Sequence, residues 1–226
     1  MKAVCRHRWD LDLAGAVRLQ KRLASRVVGR PFRGKTFLIA GTDVSFDEPN
    51  RRVFAGVVVV RYPSMETVET AVAESGLAFP YVPGLLSFRE APALIEALGR
   101  IAAPVDCLMV DGQGIAHPRR FGIASHVGVA MGMPSIGCAK SRLIGTHGEP
   151  GERKGSRAAL KIGEETVGAV VRTRDGVSPV YVSPGHLVDI ASAVRIVLGC
   201  AVTRIPEPTR RAHILVTQTR RGAIEI

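Results

Sequence analysis

The spacing of apolar residues predicts an α/β chain that begins with a helix and three strands. Over residues 11–28, apolar side chains recur at helical intervals, which predicts an amphipathic helix. Residues 36–46 predict a first strand, and the nearly continuous β-branched run of residues 53–62 predicts a buried second strand. Residues 67–73 alternate in polarity, so we expect them to pair with the second strand across the turn at residues 63–64. The first three strands are therefore predicted to form an antiparallel meander.

Helices and short apolar strands alternate after the meander. Helices are predicted over residues 87–103, 124–131 and 186–198, and extended segments over residues 105–110, 135–139, 166–173 and 180–182. Three antiparallel strands followed by helix, strand, helix and strand are the element order of a ribonuclease-H-like domain, a mixed five-stranded sheet flanked by helices. Other α/β folds share parts of this order. No repeat or linker divides residues 1–226, so we expect a single domain.

The charge is the unusual feature of the composition. The 226 residues include 31 Lys and Arg against 20 Asp and Glu, a formal net charge of +11. A basic excess of this size favours polyanionic partners, because phosphate contacts release counterions, but it does not separate DNA from RNA or an acidic membrane surface. The four cysteines form no CxxC pair, and neither a signal core nor a membrane-spanning run is evident. We therefore expect a reduced, cytoplasmic, monomeric protein without a membrane segment.

Three carboxylates stand in informative settings. Asp43 interrupts an otherwise apolar strand, and Asp111 follows a buried strand and precedes a Gly-rich turn. A carboxylate at the carboxyl end of a strand points into the crevice where α/β proteins bind ligands. Structural explanations also exist: Asp43 could face solvent, and Asp111 could start an Asx turn. Glu90, three residues after Ser87, fits a helix capping box.

Phosphodiester hydrolysis gives a chemical reason to join these carboxylates. The reaction needs a nucleophile, charge neutralisation on the phosphate and help for the leaving oxygen, all of which one or two Mg²⁺ ions can supply. Mg²⁺ prefers oxygen ligands and keeps several waters, so two or three convergent carboxylates suffice. Adjacent strands of one sheet could bring Asp43 and Asp111 together. A nuclease dependent on Mg²⁺, with Mn²⁺ as a substitute, is therefore a hypothesis that the residues permit.

Several longer motifs resemble those of the endonuclease V family, also called deoxyinosine 3′-endonucleases. The motifs follow one another in the family's order and the resemblance extends over about residues 11–213. They are residues 41–45 (GTDVS), 79–90 (FPYVPGLLSFRE), 110–119 (VDGQGIAHPR), 121–126 (FGIASH), 137–141 (GCAKS) and 181–186 (YVSPGH). The resemblance implies a ribonuclease-H-like fold.

The resemblance also implies an activity and the residues that perform it. A family member would hydrolyse the second phosphodiester bond 3′ to a deoxyinosine in DNA, leaving 3′-hydroxyl and 5′-phosphate ends and keeping the lesion in place for repair. Asp43 and Asp111 would bind the metal, and Glu90 would complete the acidic cluster. Lys140 would contact phosphate near the cut, and His213 would lie beside the second metal position. A surface charge is the ordinary alternative for Lys140.

Recognition of the damaged base is carried over from the family in the same way. Tyr81, in the segment Pro80, Tyr81, Val82 and Pro83, would wedge into the opening left by a flipped base; Val82 stands where the family has Ile. Two prolines stiffen such a loop, so an aromatic there loses little entropy on insertion. A loop tyrosine packed on the core is the alternative. The lesion pocket would be formed by Gly84, Leu86, Gly112, Gly122 and Ile123, although the glycines could serve turn geometry alone.

Other possibilities stay open at this point. An inosine-directed ribonuclease could use the same fold, because nothing in the sequence reads the 2′-hydroxyl. A non-catalytic nucleic-acid-binding module would suit the +11 charge, but three carboxylates in a phosphate groove cost affinity unless a cation is bound. The preferred lesion among deoxyinosine, deoxyuridine, abasic sites and mismatches is open, as is the number of metals. Four histidines are available as ligands or bases, His117, His126, His147 and His186, the last of which we expect at a helix start.

Overall fold

Over residues 1–34 and 37–224, the computed structural model of the chain has eight strands in one mixed sheet and five α-helices. The elements in chain order are α1 (Leu13–Ala24), β1 (Phe37–Asp47), β2 (Arg52–Tyr62), β3 (Glu66–Gly76), α2 (Leu86–Arg100), β4 (Cys107–Val110), α3 (Ile123–Met131), β5 (Ser135–Ala139), β6 (Arg157–Ile162), β7 (Glu165–Val171), β8 (Val180–His186), α4 (Ile190–Cys200) and α5 (Glu207–Arg220). Thr36, at the predicted start of the first strand, lies outside the described residues.

The sheet confirms the predicted fold class and is larger than predicted. Its strand order is β3-β2-β1-β4-β5-β8-β7-β6. The antiparallel meander of β1, β2 and β3 continues into parallel β4 and β5, which is the ribonuclease-H-like arrangement. The prediction of a five-stranded sheet is wrong in strand number, because β8, β7 and β6 extend it by antiparallel pairing. The sequence analysis missed β6 since most of its residues are exposed and show no continuous apolar run.

One helix begins later than predicted, and another was not predicted. Residue 186 does not begin a helix: His186 ends β8, and α4 starts at Ile190 with the Asp189 side chain accepting the Ser192 N–H. The His186 Nδ1 instead accepts the Val28 N–H at 3.3 Å. Helix α5 was not predicted, because its run of charged residues is typical of a solvated surface. Tertiary packing on β1 and β2 accounts for that helix.

The core lies on both faces of the sheet. One apolar cluster fills the space between the sheet and α4 and α5, and a second packs under α2 and α3. Cys107 and Cys138 are buried as free thiols and serve as small core side chains. None of the helices in the described ranges is long and apolar enough to span a bilayer.

Glycines on β1 and β2 let α5 lie directly on the sheet. A Cβ on Gly41 would overlap the backbone of Pro208, and one on Gly56 would crowd Val216 and Ala212. The helix can therefore approach the sheet backbone only because these positions carry no side chain. This approach places α5 beside Asp43, which lies two positions beyond Gly41 in β1.

Replacement of Gly41 by alanine should therefore destabilise the fold. We expect Gly41→Ala to lower the free energy of unfolding by about 1–3 kcal/mol or more, because helix and strand must separate. The control is Gly76→Ala, since among the described residues no atom lies within 4 Å of the added Cβ. Urea unfolding followed by circular dichroism measures both, and equal midpoints for the two variants would contradict the packing argument.

Candidate active site

Two aspartates meet where the parallel pairing of two strands ends, Asp43 within β1 and Asp111 directly after β4. The register of β1 and β4 pairs Thr42 with Val110, so Asp43 and Asp111 each follow the last paired residue. The Asp111 N–H still donates to the Thr42 carbonyl at 3.3 Å, which holds the two strand ends together. Glu90 reaches the same place from α2. The three side chains line one cavity of about 360 Å³. Their joint role as ligands of one metal ion stays a prediction.

The carboxylates crowd negative charge into a partly dry site. The Asp43 and Asp111 side chains are 10% and 17% exposed. Burial raises the pKa of Asp43, and the charge of Asp111 raises it further. Burial also raises the pKa of Glu90 to about 8, with the charges of Asp43 and Asp111 adding to the effect. Such shifts mean that the charged forms lack compensation, so the site favours an added cation.

Two basic side chains partly offset this charge. Lys140, immediately after β5, forms an ion pair with Asp111. Burial lowers the pKa of Lys140, but Asp111 and Asp43 outweigh it and leave the pKa raised. His213, on α5, donates its Nδ1–H to the Asp43 Oδ2 at 2.6 Å. Each strand-end aspartate therefore has its own partner from a different element.

The donor set fits a hydrated divalent cation better than a closed cage. Within the described residues, no group of three or more His, Cys, Asp or Glu side chains is arranged to hold a metal ion. Mg²⁺ usually keeps several waters and takes only one or two carboxylates from the protein. Asp43 and Asp111 meet that requirement, with hard oxygens at adjacent strand ends. A direct metal contact from Glu90 stays a prediction.

The capping explanation for Glu90 is wrong. Helix α2 begins at Leu86, and its N-cap residue Leu85 makes no side-chain capping bond. Ser87 is instead hydrogen-bonded through its Oγ to His126 Nδ1 at 2.9 Å. Glu90 is thus not committed to the helix end, and its carboxyl belongs to the cavity. The solvent-facing explanation for Asp43 fails as well, because the side chain is buried against His213.

An exposed aromatic stands at the rim of the same cavity. Tyr81 is 68% exposed, so it is not packed on the core. Val82 and Pro83 line the cavity beside it, whereas Pro80 faces an adjoining groove. Val82 also packs against an apolar cluster that contains Phe79 and Leu85. The loop is therefore anchored at its base and presents one free ring, which is the geometry expected of a wedge.

The predicted lesion-pocket residues all line this cavity, namely Gly84, Leu86, Gly112, Gly122 and Ile123. Gly84 has φ +79°, a conformation that favours glycine. A Cβ on Gly122 would overlap the Gln113 carbonyl, so close backbone packing alone requires that glycine. Sequence reasoning missed further lining residues, of which Gln113 and His117 lie inside a motif already singled out. Gln20 carried no signal beyond being a polar residue in an amphipathic helix.

The histidines whose roles the sequence left open lie in different surroundings. His117 lines the cavity, and burial lowers its pKa to about 4, so it is neutral. His126 is enclosed between Ser87 and His7. His147 lies against the ring of Tyr181. Among the described residues these three, like His186, make no hydrogen bond to Asp43, Glu90 or Asp111.

The fold and the paired strand-end carboxylates define a hydrolytic nuclease. Residues 21–214 match the family model of endonuclease V. Endonuclease V of Myxococcus xanthus is 51% identical over 217 residues, covering 95% of this chain and 92% of that protein. The structure of endonuclease V from Streptomyces avermitilis has a TM-score of 0.89 at 40% identity, covering 95% of this chain and 96% of that one. The chain belongs to the endonuclease V family and is an endonuclease, so the hypothesis of a non-catalytic binding module is wrong.

A further relative has been solved with nucleic acid. Endonuclease V from Ciona intestinalis, in complex with a 24mer DNA containing an inosine followed by a ribo-adenosine, has a TM-score of 0.84 with this chain. The two are 26% identical, and the match covers 94% of this chain and 99% of that one. The fold that surrounds the cavity is thus shared with a protein that binds inosine-containing DNA.

The raised pKa of Glu90 predicts a pH-dependent stability. Between its ordinary value of 4.5 and about 8, the folded protein keeps a proton that the unfolded chain has released. The contribution of Glu90 to stability is therefore lost as the pH rises through this window. The buried histidines His117 and His126, whose pKa values are lowered by burial, contribute with the opposite sign below about pH 6.5, and they do so in the wild type and in the variant alike. In metal-free buffer we therefore expect Glu90→Gln to gain stability relative to the wild type, by on the order of a few kcal/mol, from about pH 5 to about pH 8.

Urea unfolding with a chelator present measures this dependence. Glu96→Gln is the matched control, because Glu96 is half-exposed on the same helix and pairs with Arg100. The control should retain the wild-type pH dependence. Parallel curves for the wild type and Glu90→Gln would show that Glu90 holds no proton in the folded state.

Proposed function

We propose that this chain is a Mg²⁺-dependent DNA endonuclease that recognises deoxyinosine. It would hydrolyse the second phosphodiester bond 3′ to the lesion, leaving 3′-hydroxyl and 5′-phosphate ends and the damaged base in place for repair. The observation that carries the proposal is that the acidic centre and the exposed Tyr81 line one cavity. The inosine-containing DNA bound by the Ciona intestinalis relative supports the choice of lesion. Mn²⁺ would substitute for Mg²⁺, since both accept hard oxygen ligands.

In this proposal, the loop that carries Tyr81 and the backbone of the pocket wall recognise the damaged base. Extruding a base costs a few kcal/mol of stacking, least at a damaged or mismatched pair. Tyr81 would stack in the gap and offset part of that cost. Hypoxanthine carries a carbonyl where adenine carries an amino group, so a backbone N–H from the wall can read it without a charged partner. Gly84, with its φ of +79°, would let the backbone stand close to the base.

Hydrolysis uses the side chains at the strand ends. A divalent cation held by Asp43 and Asp111 would neutralise charge on the phosphate and supply a nucleophile at neutral pH. His213 fixes the orientation of the Asp43 carboxylate through its 2.6 Å hydrogen bond. Lys140 remains charged beside Asp111 and can turn to a phosphate oxygen when the backbone enters. The chain thus offers both the cation-binding oxygens and a positive charge at the cut.

An inosine-specific ribonuclease is the second candidate. The nucleic acid in the Ciona intestinalis complex has a ribonucleotide directly after the inosine. A 2′-hydroxyl at that position is what distinguishes RNA from DNA for a protein. Both candidates use the same cavity and the same carboxylates, so only the preferred sugar separates them.

Matched oligonucleotides test the proposal. We expect the wild type with Mg²⁺ to nick a deoxyinosine duplex at the second phosphodiester 3′ to the lesion and to leave the adenine-containing duplex intact. Asp111→Asn should lower the nicking rate by at least about 100-fold, because several kcal/mol of charge stabilisation depend on the cation. Gel mapping of the ends measures both the site and the rate.

The control is Asp10→Asn, an exposed aspartate outside the cavity that should leave the rate unchanged. Faster cutting of the inosine-containing RNA would select the ribonuclease. No cutting of any inosine substrate with Mg²⁺ or Mn²⁺ would reject both candidates. Full activity of Asp111→Asn would reject the catalytic role assigned to Asp111.

Loss of the wedge should weaken lesion binding specifically. Stacking of a base on an aromatic ring is worth about 1–3 kcal/mol, so Tyr81→Ala should reduce affinity for deoxyinosine duplex by about tenfold or more. Affinity for undamaged duplex should change little. Fluorescence anisotropy in metal-free buffer measures both. Val68→Ala, an exposed apolar side chain on β3, is the control, and an unchanged lesion-to-plain affinity ratio in Tyr81→Ala would remove the wedge from the proposal.

A further inference from the structure

A buried carboxamide lies behind the cavity. Gln20, on α1, is 1% exposed and sits between the apolar residues Leu19 and Leu23 of the same helix. Its Nε2 donates to the carbonyl oxygens of Gly84 at 3.1 Å and of Phe121 at 3.2 Å. Its Oε1 accepts the Nε–H of Arg119 at 2.6 Å. Every polar atom of the side chain is therefore paired, which is what a buried amide requires.

The Gly84 carbonyl is the point where the cluster converges. Besides Gln20, it accepts the Arg119 Nη2–H at 2.6 Å and the His117 Nε2–H at 2.9 Å. The His117 Nδ1 accepts the Arg119 N–H at 3.2 Å, so the ring proton must be on Nε2. These hydrogen bonds are mutually consistent, because each side-chain atom acts either as a donor or as an acceptor and never as both. One carbonyl oxygen is thus held from several directions.

The two carbonyls that Gln20 holds belong to two separate segments of the chain at the pocket. Gly84 follows directly on the loop that carries Tyr81, and its φ of +79° sets the exit of that loop. Phe121 precedes Gly122 and Ile123, which also line the cavity. A single side chain therefore links the wedge loop to the start of α3. The spacing of these two segments therefore depends on hydrogen bonds from Gln20 to residues that lie 64 and 101 positions further along the chain.

Stability alone does not explain a glutamine here. The neighbouring positions of α1 are apolar, and an apolar side chain in a core contributes at least as much as a paired amide of similar size. Arg119, which is half-buried, completes the cluster through its hydrogen bond to Gln20. Groups of this kind specify one geometry rather than add net stability.

We propose that Gln20 and Arg119 are positioning residues that set the distance between the wedge loop and the pocket wall for base recognition. The inference rests on the proposed function. Among the described residues, neither side chain forms a hydrogen bond to Asp43, Glu90 or Asp111. They act on admission of the damaged base, and the hydrolytic centre works independently of them.

Gln20→Met tests the inference. Methionine keeps the length of the side chain and removes its donor and its acceptor. We expect KM for a deoxyinosine duplex to rise at least about tenfold, and kcat to stay within about threefold of wild type, since misplacement affects binding of the base and not the carboxylates. Leu23→Met is the control, because it places the same residue on the buried face of the same helix and should leave both constants unchanged.

A second variant covers the case in which Gln20→Met does not fold. Arg119→Lys keeps the charge but cannot donate to Gln20 and Gly84 through a fork of N–H groups, so KM should rise in the same way. Thermal unfolding of all variants identifies those that are folded at the assay temperature. A loss of kcat at unchanged KM in either variant would overturn the inference.

The substrate preference of the wild type distinguishes a failure of this inference from a failure of the proposed function on which it rests. A wild type that does not prefer deoxyinosine over undamaged duplex would defeat the proposed function. A wild type that does, together with a folded Gln20→Met of unchanged KM and unchanged preference, would leave the function standing and defeat the positioning role. A raised KM with preserved kcat in Gln20→Met and Arg119→Lys would support both.

Discussion

The parallel pairing of β1 with β4 is the constraint on which the site depends. It places Asp43 and Asp111 side by side although their charges repel, and the backbone hydrogen bonds of the sheet maintain that proximity. The cost appears in the raised pKa values of Asp43 and Glu90. Lys140 and His213 offset part of it, each delivered by a separate element. A divalent cation would offset the remainder, which is why this arrangement of charges favours one.

A strand outside the ribonuclease-H-like core, β8, forms hydrogen bonds with the segment that follows Asp111. Ser183 in β8 accepts the Gly114 N–H through its Oγ at 2.8 Å, and the Pro184 carbonyl accepts the Ile115 N–H at 2.8 Å. These bonds hold the segment that follows Asp111 and forms one wall of the cavity. On the other side, α5 reaches the end of β1 because Gly41 leaves room for it. The added elements therefore secure the neighbours of the two aspartates.

Hydrolysis and recognition are built from different kinds of structure. The proposed hydrolytic side chains sit on strands, directly after strands or on helices packed against the sheet, whose geometry varies little. The proposed recognition elements are a proline-flanked loop and glycine turns, which need buried polar contacts to keep one conformation. Gln20 and Arg119 supply these contacts through the Gly84 carbonyl. A rigid centre combined with a separately held loop suits the proposed activity, in which a base is extruded and the strand is cut at a distance from it.

The sequence by itself determined the elements with strong local patterns and the motifs that carry the chemistry. The β-branched run of β2 and the bounds of β5 were predictable, as were Asp43, Asp111 and Tyr81 as candidates. Tertiary structure alone decided α5, the edge strand β6 and the end of β8 at His186. It also decided that Glu90 faces the cavity instead of capping α2, and that Gln20 joins two segments of the chain at the pocket. These features depend on contacts between residues far apart in the chain, which leave no periodicity in a local window.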